Sequence, residues 1–325
     1  MTPLRCSPLV LLLSLLHLTS PAQDTFSIVA VDTVTGEVGA AGATCLSVLP
    51  LGSLINRLLP GRGAVTAQAS VSTLNRDYAL QLMQAGRSPA QIIDSLFQND
   101  SNGNPQIRQN LVVDLFNGGG RSAVFTGNQC VAFANHIVGP NYVIAGNILL
   151  GQAVLDSMEV RFLNESGDLA QKLMAALQGG KFIGADTRCT QYNTSSLSAY
   201  LRVAQPSDSV EQYRLDLNVA SNPLVLIFES VDSLQRMFDQ WLLTNAERPT
   251  SGSGIQVYPQ PATTTVIISG IGLEKLTVCD LQGRKMPLRV EARSERQVRL
   301  SLNGWAAGIY CIRAGRQTER LLVLP

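Results

Sequence analysis

Histidine is almost missing from this chain. There are two in 325 residues, and only His136 lies beyond the first 22 positions. That excludes a multi-histidine metal centre, and any histidine-based nucleophile would have to use that one ring. Cofactor signatures are lacking too: there is no GxGxxG, no GxxxxGK[ST] and no HExxH, so neither a cofactor nor a metal is expected. Charge of one sign is not in excess. Lys and Arg number 25 against 24 Asp and Glu, and the extra base, Arg5, sits near the N-terminus. A balanced surface offers no electrostatic footprint for nucleic acid. No apolar run is long enough to cross a membrane. LVLLLSLLHL (Leu9 to Leu18) falls well short of the roughly 18 residues needed, so no transmembrane segment is expected.

What the first 22 residues do contain is one positive charge, that apolar run, and small residues at Ser20 and Ala22. This is the pattern of a secretory signal peptide, cut after Ala22. Cys6 precedes the apolar run and is misplaced for a lipid anchor. Cys45, Cys130, Cys189, Cys279 and Cys311 follow the leader. They lie too far apart for a CxxC metal site, and an odd set leaves at least one thiol unpaired within the chain. Export permits disulfides. Cys45 is expected as a buried thiol, Cys189 as a candidate partner for Cys130, and Cys279 with Cys311 as a candidate pair within the tail.

The length allows two domains. The expected division is a signal peptide at 1–22, a main domain at 23–245, a linker at 246–254 containing the small polar run PTSGSG, and a β-rich tail at 255–325. TFSIVAVD and EVGAAGATC read as strands of a hairpin turning at Gly36, and GAVTAQASV as a further strand. RDYALQLMQAG and PAQIIDSLFQ read as helices, the second opened by Ser88 as N-cap and Pro89 at its first position. IRQNLVVDLF, RSAVFTG, CVAFANHIVG and NYVIAGN are strand-like. GQAVLDSMEVRFLNES, DLAQKLMAALQGG and SVDSLQRMFDQWLL are amphipathic helices around strands SSLSAYLRVAQ and QYRLDLNVA. Strands and helices come in batches, which argues for a layered α+β sandwich over a doubly wound sheet.

TFSIVAVDTVTGEVGAA, GRGAVTAQA, RQNLVVD, FTGNQC, GPNYVIAGNIL and GADTRC occur in an order that resembles the family filed as domain of unknown function 1028. The resemblance spans roughly residues 25 to 240. It implies an N-terminal-nucleophile (Ntn) hydrolase fold, an αββα sandwich, here followed by a small all-β sandwich. Enzymes of that superfamily use the hydroxyl or thiol of their first mature residue as nucleophile and its own α-amine as base. An α-amine titrates near ~7.7–8.0, so no histidine is needed.

By that resemblance Thr25 is the nucleophile, and its exposure requires a second cut after Asp24, since cleavage after Ala22 leaves Gln23 in front. Asn147 is expected to donate to the oxyanion. Arg108, Asp114, His136, Asp186 and Arg188 are expected around a small polar or peptide-like ligand. Each has a plainer reading: a strand-favoured threonine, a turn asparagine, structural ion pairs and a hydrogen-bonded imidazole. Two departures from the family pattern stand out. Thr66 precedes Gln68 by two positions rather than adjoining it, and Cys189 replaces the usual Gly after Arg188. Some relatives carry a peptidoglycan-binding domain, which implies cell-wall peptides as a substrate class. The competing expectation is a non-catalytic surface binding module.

The tail is similar to the C-terminal sorting domain of the type IX secretion system of Bacteroidetes. The similarity rests on VYPQP, LTVCDLQGRKM, LNGWAAGIYCIR and a closing RLLVLP. It implies recognition by that secretion machinery and delivery to the outer-membrane surface or medium of a Gram-negative bacterium.

Overall fold

A computed structural model describes residues 25–245, 255–258, 262–270, 272–280, 282–294, 296–315 and 317–324. The leader, Gln23 and Asp24, the linker and most of the VYPQP run lie outside the described residues. The chain divides into two compact units, Met1–Trp241 and Leu242–Pro325.

The first unit opens with β1 (Thr25–Val31) and β2 (Val38–Thr44), then α1 (Leu51–Ile55), β3 (Asn56–Leu59), β4 (Gly63–Ala69), α2 (Thr73–Gln84) and α3 (Pro89–Gln98). It continues with β5 (Arg108–Phe116), β6 (Gly119–Thr126), β7 (Asn135–Val138), β8 (Tyr142–Gly146), α4 (Gln152–Asn164) and α5 (Leu169–Gly179). Strands β9 (Ser198–Ala204) and β10 (Leu215–Ala220) follow, and helix α6 (Ser230–Asn245) runs past the unit's end at Trp241. Two antiparallel sheets result, one ordered β10-β9-β2-β1-β8-β7 and the other β3-β4-β5-β6. Helices α4 and α5 cover the first sheet, α2 and α3 cover the second, and the sheets face each other through β1, β4, β5 and β8. The unit is an αββα sandwich.

Strand alternation decides what each residue sees. In β1, Val29 and Val31 join Val38, Ala40, Ala64, Leu111, Val113, Val143 and Ala145 in the core between the sheets. Thr25 and Ser27 share that inward face. Phe26 points the other way, close to Gly180 and Met158. In the second sheet Ala64, Thr66 and Gln68 face inward, while Val65 packs with Ala79, Met83, Ile92 and Leu96 of the helices. Thr66 and Gln68, two positions apart, therefore share one face. The β1–β2 turn uses Gly36 at φ 75°, and Ser88 caps α3 through a capping box with Gln91, both as the sequence leads one to expect.

Two features differ from the sequence reading. Residues 130–134 of CVAFANHIVG are not strand, because this segment leaves the sheet of β6 and crosses to the sheet of β7. Elements α1 and β3, which the sequence did not announce, lie between β2 and β4.

Cys45 is not a buried thiol, and Cys189 does not pair with Cys130. Cys45 and Cys189 are joined by a disulfide across 144 positions, while the Cys130 thiol contacts the Arg108 carbonyl at 3.3 Å. The reason is local. Cys45 follows the last residue of β2, and Cys189 lies in the 3-10 turn Thr187–Tyr192, which Asp186 ties to the same strand end through the Cys45 N–H at 2.8 Å.

The second unit holds β11 (Gln256–Tyr258), β12 (Thr265–Ser269), β13 (Thr277–Asp280), β14 (Arg289–Arg293), β15 (Gln297–Ser301), β16 (Gly308–Ala314) and β17 (Gln317–Val323). Sheets β11-β12-β15-β14 and β13-β16-β17 enclose a core that includes Val266, Ile268, Val278, Leu300, Ile312 and Leu321. Cys279 and Cys311 stand directly opposite in register, yet both are thiols rather than the expected disulfide.

A disulfide closing so long a loop is expected to stabilise the first unit by about 3–5 kcal/mol. Peptide mapping without reduction should recover Cys45 and Cys189 in one linked fragment. Reductant should lower the unit's denaturation midpoint, and the Cys45→Ala/Cys189→Ala double variant should show the lower midpoint with no further response to reductant.

Candidate functional site

The head of β1 lies where three segments meet. Thr25 is opposite Thr44 of β2, and Phe26 is opposite Gly146 of β8, so the residue after β8, Asn147, comes beside Thr25. The Asn147 N–H donates to the Thr25 carbonyl at 3.3 Å. In the full-length chain Thr25 is 1 % exposed.

Beneath this point, two glutamines of the facing sheet stand directly across from each other, Gln68 on β4 and Gln109 on β5. Both are buried. Gln68 Nε2 donates to Gln109 Oε1 at 2.6 Å and reaches the Thr25 and Ala145 carbonyls at 3.4 and 3.3 Å. Gln68 Oε1 accepts the Ser27 hydroxyl at 2.5 Å. Gln109 Nε2 donates to the Gly146 and Asn135 carbonyls at 3.1 and 3.2 Å and to Thr126 Oγ1 at 2.9 Å. The Thr126 hydroxyl meets His136 Nδ1 at 2.9 Å. Since Thr126 accepts from Gln109, its proton points to that nitrogen. This favours the neutral ring protonated at Nε2, in keeping with burial, which lowers the His136 pKa. His136 thus ends a polar chain that begins at Ser27.

Asn147 Nδ2 donates into the same network, to Gln109 Oε1 at 3.3 Å. The oxyanion-donor role expected of this side chain does not fit its orientation, because its donor edge is turned down onto Gln109.

Asp186 and Arg188 approach from the opposite side. Asp186 is buried and accepts the Cys45 N–H, while Arg188 Nε and NH2 donate to its two oxygens at 2.9 and 2.6 Å. Arg188 NH2 also lies 3.4 Å from Thr44 Oγ1, one strand away from Thr25, and its side chain keeps 28 % exposure. The structure therefore brings together Thr25, Asn147, Asp186 and Arg188, with His136 at the far end of the buried chain.

It separates Arg108 and Asp114 from that group. Both lie on the helix-facing side of β5, one position out of phase with Gln109. Arg108 is not a clamp for substrate. Its guanidinium is buried against Asp100, Nε to Oδ2 at 2.8 Å, and donates to the Ser70 carbonyl. Asp114 is bound by Arg121 and Arg62 at 2.6 and 3.4 Å, roughly 20 Å along the strand from Arg108 at about 3.3 Å per residue. The residues that the sequence reading missed are Gln68 and Gln109. A glutamine in phase with the apolar residues of a strand was the available signal.

Two backbone positions beside the site lie in the left-handed region: Ala69 at φ 68° and Ile148 at φ 52°. Such a conformation costs an L-residue roughly 1–2 kcal/mol. Ile148 is held there by its N–H to the Val131 carbonyl at 3.1 Å and by the Thr187 N–H on its own carbonyl at 3.0 Å. Each strained residue directly follows a site amide, Gln68 or Asn147.

Residues 25–225 match the Family of unknown function (DUF1028), and residues 256–322 match the Secretion system C-terminal sorting domain, which implies export to the cell surface or medium. The crystal structure of protein SPO2555 from Silicibacter pomeroyi, itself assigned to DUF1028, is similar with a TM-score of 0.54 at 23 % identity, covering 67 % of this chain and 89 % of that one. At that identity the likeness speaks to fold alone. No curated protein matches the chain. Among the described residues, no helix is long and apolar enough to cross a membrane.

The buried Asp100–Arg108 pair makes stability depend on acid. Burial pushes the Asp100 carboxyl up, but hydrogen bonds from Arg108, Asn75 and the Asn102 N–H, with the Arg108 charge, bring it down to about 2 from 3.8. A folded pKa below the unfolded one contributes stability above pH ~4 that is lost as pH falls toward 2, about 2 kcal/mol in all. Denaturant titrations between pH 6 and 2.5 should show this slope. Asp100→Asn should remove it and lower stability at pH 6, because Arg108 is left buried without its counter-charge.

Proposed function

The chain belongs to the DUF1028 family, and on that premise we propose that it is an exported hydrolase that cleaves an amide bond with Thr25 as its N-terminal nucleophile. The observation that carries this reading is the position of Thr25. It heads a central strand with its side chain on the face between the sheets, where Asn147 and the Gln68–Gln109 pair hold its backbone. Buried polar groups cost stability unless satisfied, and a strand end that only had to close a core would be filled by apolar residues, as the Val29 and Val31 end of β1 is.

In the proposed reaction, Thr25 Oγ attacks the amide carbon while its proton passes to the Thr25 α-amine. The tetrahedral intermediate collapses as that proton moves to the departing amine, leaving an acyl ester on Thr25. Water, deprotonated by the same α-amine, then releases the acid and regenerates the hydroxyl. Arg188, held by Asp186 next to Thr44, is placed to receive an anionic group of a small polar or peptide-like substrate. Cell-wall-derived peptides are the class to screen first, and the tail would be recognised by the type IX secretion machinery.

The near-complete burial of Thr25 in the full-length chain supports a second reading, a surface binding module that retains the scaffold without turnover. The two are separated by the state of the N-terminus. A chain recovered from the native host's medium or surface should begin at Thr25, and a hydroxyl- or amine-directed acylating probe should label that residue. Thr25→Ala should lose the hydroxyl label and reduce hydrolysis on the order of 10⁴-fold or more. A mature chain beginning at Gln23, unlabelled at Thr25, would leave the binding module.

A further inference from the structure

The orientations of the three site amides are fixed by groups that can only accept a hydrogen bond. Gln109 Nε2 lies on the Gly146 and Asn135 carbonyls, so Gln109 Oε1 must be the atom facing Gln68 and Asn147. Two donors converge on that oxygen, Gln68 Nε2 and Asn147 Nδ2. Turning the Asn147 amide over would set oxygen against oxygen. Asn147 Oδ1 is therefore held on the opposite edge, and it is buried without a hydrogen-bond partner among the described residues. An unsatisfied buried acceptor is costly and calls for a donor that the described residues do not supply.

The register says where such a donor would come from. With Phe26 opposite Gly146 and the Asn147 N–H on the Thr25 carbonyl, Asn147 and Thr25 are cross-strand neighbours with side chains on the same face, Cβ atoms about 4.5–5.5 Å apart. We propose that Asn147 Oδ1 is the acceptor for the α-amino group of Thr25 once that residue becomes the first of the chain, and that it holds the amine against the Thr25 hydroxyl. Asn147 is then a positioning residue, acting through the base. The inference rests on the reading that Thr25 is freed. Cutting the bond before Thr25 turns an amide N–H into an ammonium or amine with additional protons to donate.

The charged and titratable groups around this point are Asp186 and Arg188 on the turn bound to Cys45, and His136 of β7 behind Thr126. Arg108 and Asp100 face the helices. None of these changes when Asn147 is replaced, so the titration of the Thr25 amine isolates its effect. A neutral acceptor favours the ammonium over the amine, since bonds from a charged donor are the stronger.

The test uses the chain 25–325, beginning at Thr25, labelled with trace acetic anhydride across pH, with the N-terminal peptide quantified by mass spectrometry. Asn147→Leu, close in shape and without an acceptor, should lower the Thr25 amine pKa by about one unit. Asn147→Asp should raise it above the wild-type value. Unchanged titration in a folded Asn147→Leu protein overturns the proposal. If that variant does not fold, Asn147→Asp decides, and the absence of an upward shift overturns it equally. Because labelling needs no turnover, the two ideas fail separately. An Asn147-dependent amine in a chain that hydrolyses nothing sinks the hydrolase reading alone, and an active chain with an Asn147-independent amine sinks this one alone.

Discussion

The hydrogen bond from Gln68 Nε2 to Gln109 Oε1, 2.6 Å between directly opposed residues of β4 and β5, is the contact on which the site depends. It lets two polar side chains stand where the pattern of both strands calls for apolar ones. Beyond the Gln109 bond to Thr126 of its own sheet, the glutamines reach the facing sheet at the carbonyls of Thr25, Ala145, Gly146 and Asn135 and the hydroxyl of Ser27. The two sheets are thus pinned together by directional bonds at one end and by Val, Leu and Ala packing along the rest of the interface. Apolar packing tolerates sliding, whereas hydrogen bonds to fixed carbonyls do not. The head of β1 is therefore held by directional bonds as well as by packing.

A second constraint acts from outside the sheet. The Cys45–Cys189 disulfide and the Asp186 carboxylate on the Cys45 N–H fasten the 184–189 turn to the end of β2. Arg188 is carried with that turn and brought to Thr44. The left-handed Ile148 belongs to the same assembly, since its carbonyl accepts the Thr187 N–H. Covalent, ionic and backbone tethers converge on residues that contribute little apolar burial. Such a concentration costs strain and desolvation that the core must offset, as expected where geometry at a site matters more than local stability.

Much of the scaffold was legible in the sequence because it rests on local rules. The Gly36 hairpin and the Ser88-Pro89 helix start each need only a few neighbouring residues, and the batching of strands and helices announced the layers. The site was legible in part. Thr25, Asn147, Asp186 and Arg188 were brought together, but Arg108 was chosen where its neighbour Gln109 faces inward. One position in a strand exchanges the two faces, and a charged side chain draws the eye more than an amide. The phase was nevertheless readable, because Leu111 and Val113 mark the inward face. The Cys45–Cys189 pairing was not readable, since it joins segments 144 positions apart through a turn whose approach is set by tertiary contacts.

Three departures from local optimality lie beside the head of β1. Ala69 and Ile148 sit in a backbone region that glycine would occupy at less cost, and Asn147 buries an acceptor with no donor among the described residues. On the proposed reading, the uncut chain lacks one donor and the processed chain gains it at the same point, so cleavage before Thr25 would both create the base and complete its surroundings. The cut form would then be better satisfied than its precursor at Asn147 Oδ1, one of the buried polar atoms left without a partner among the described residues, and processing would be favoured by the fold that it activates.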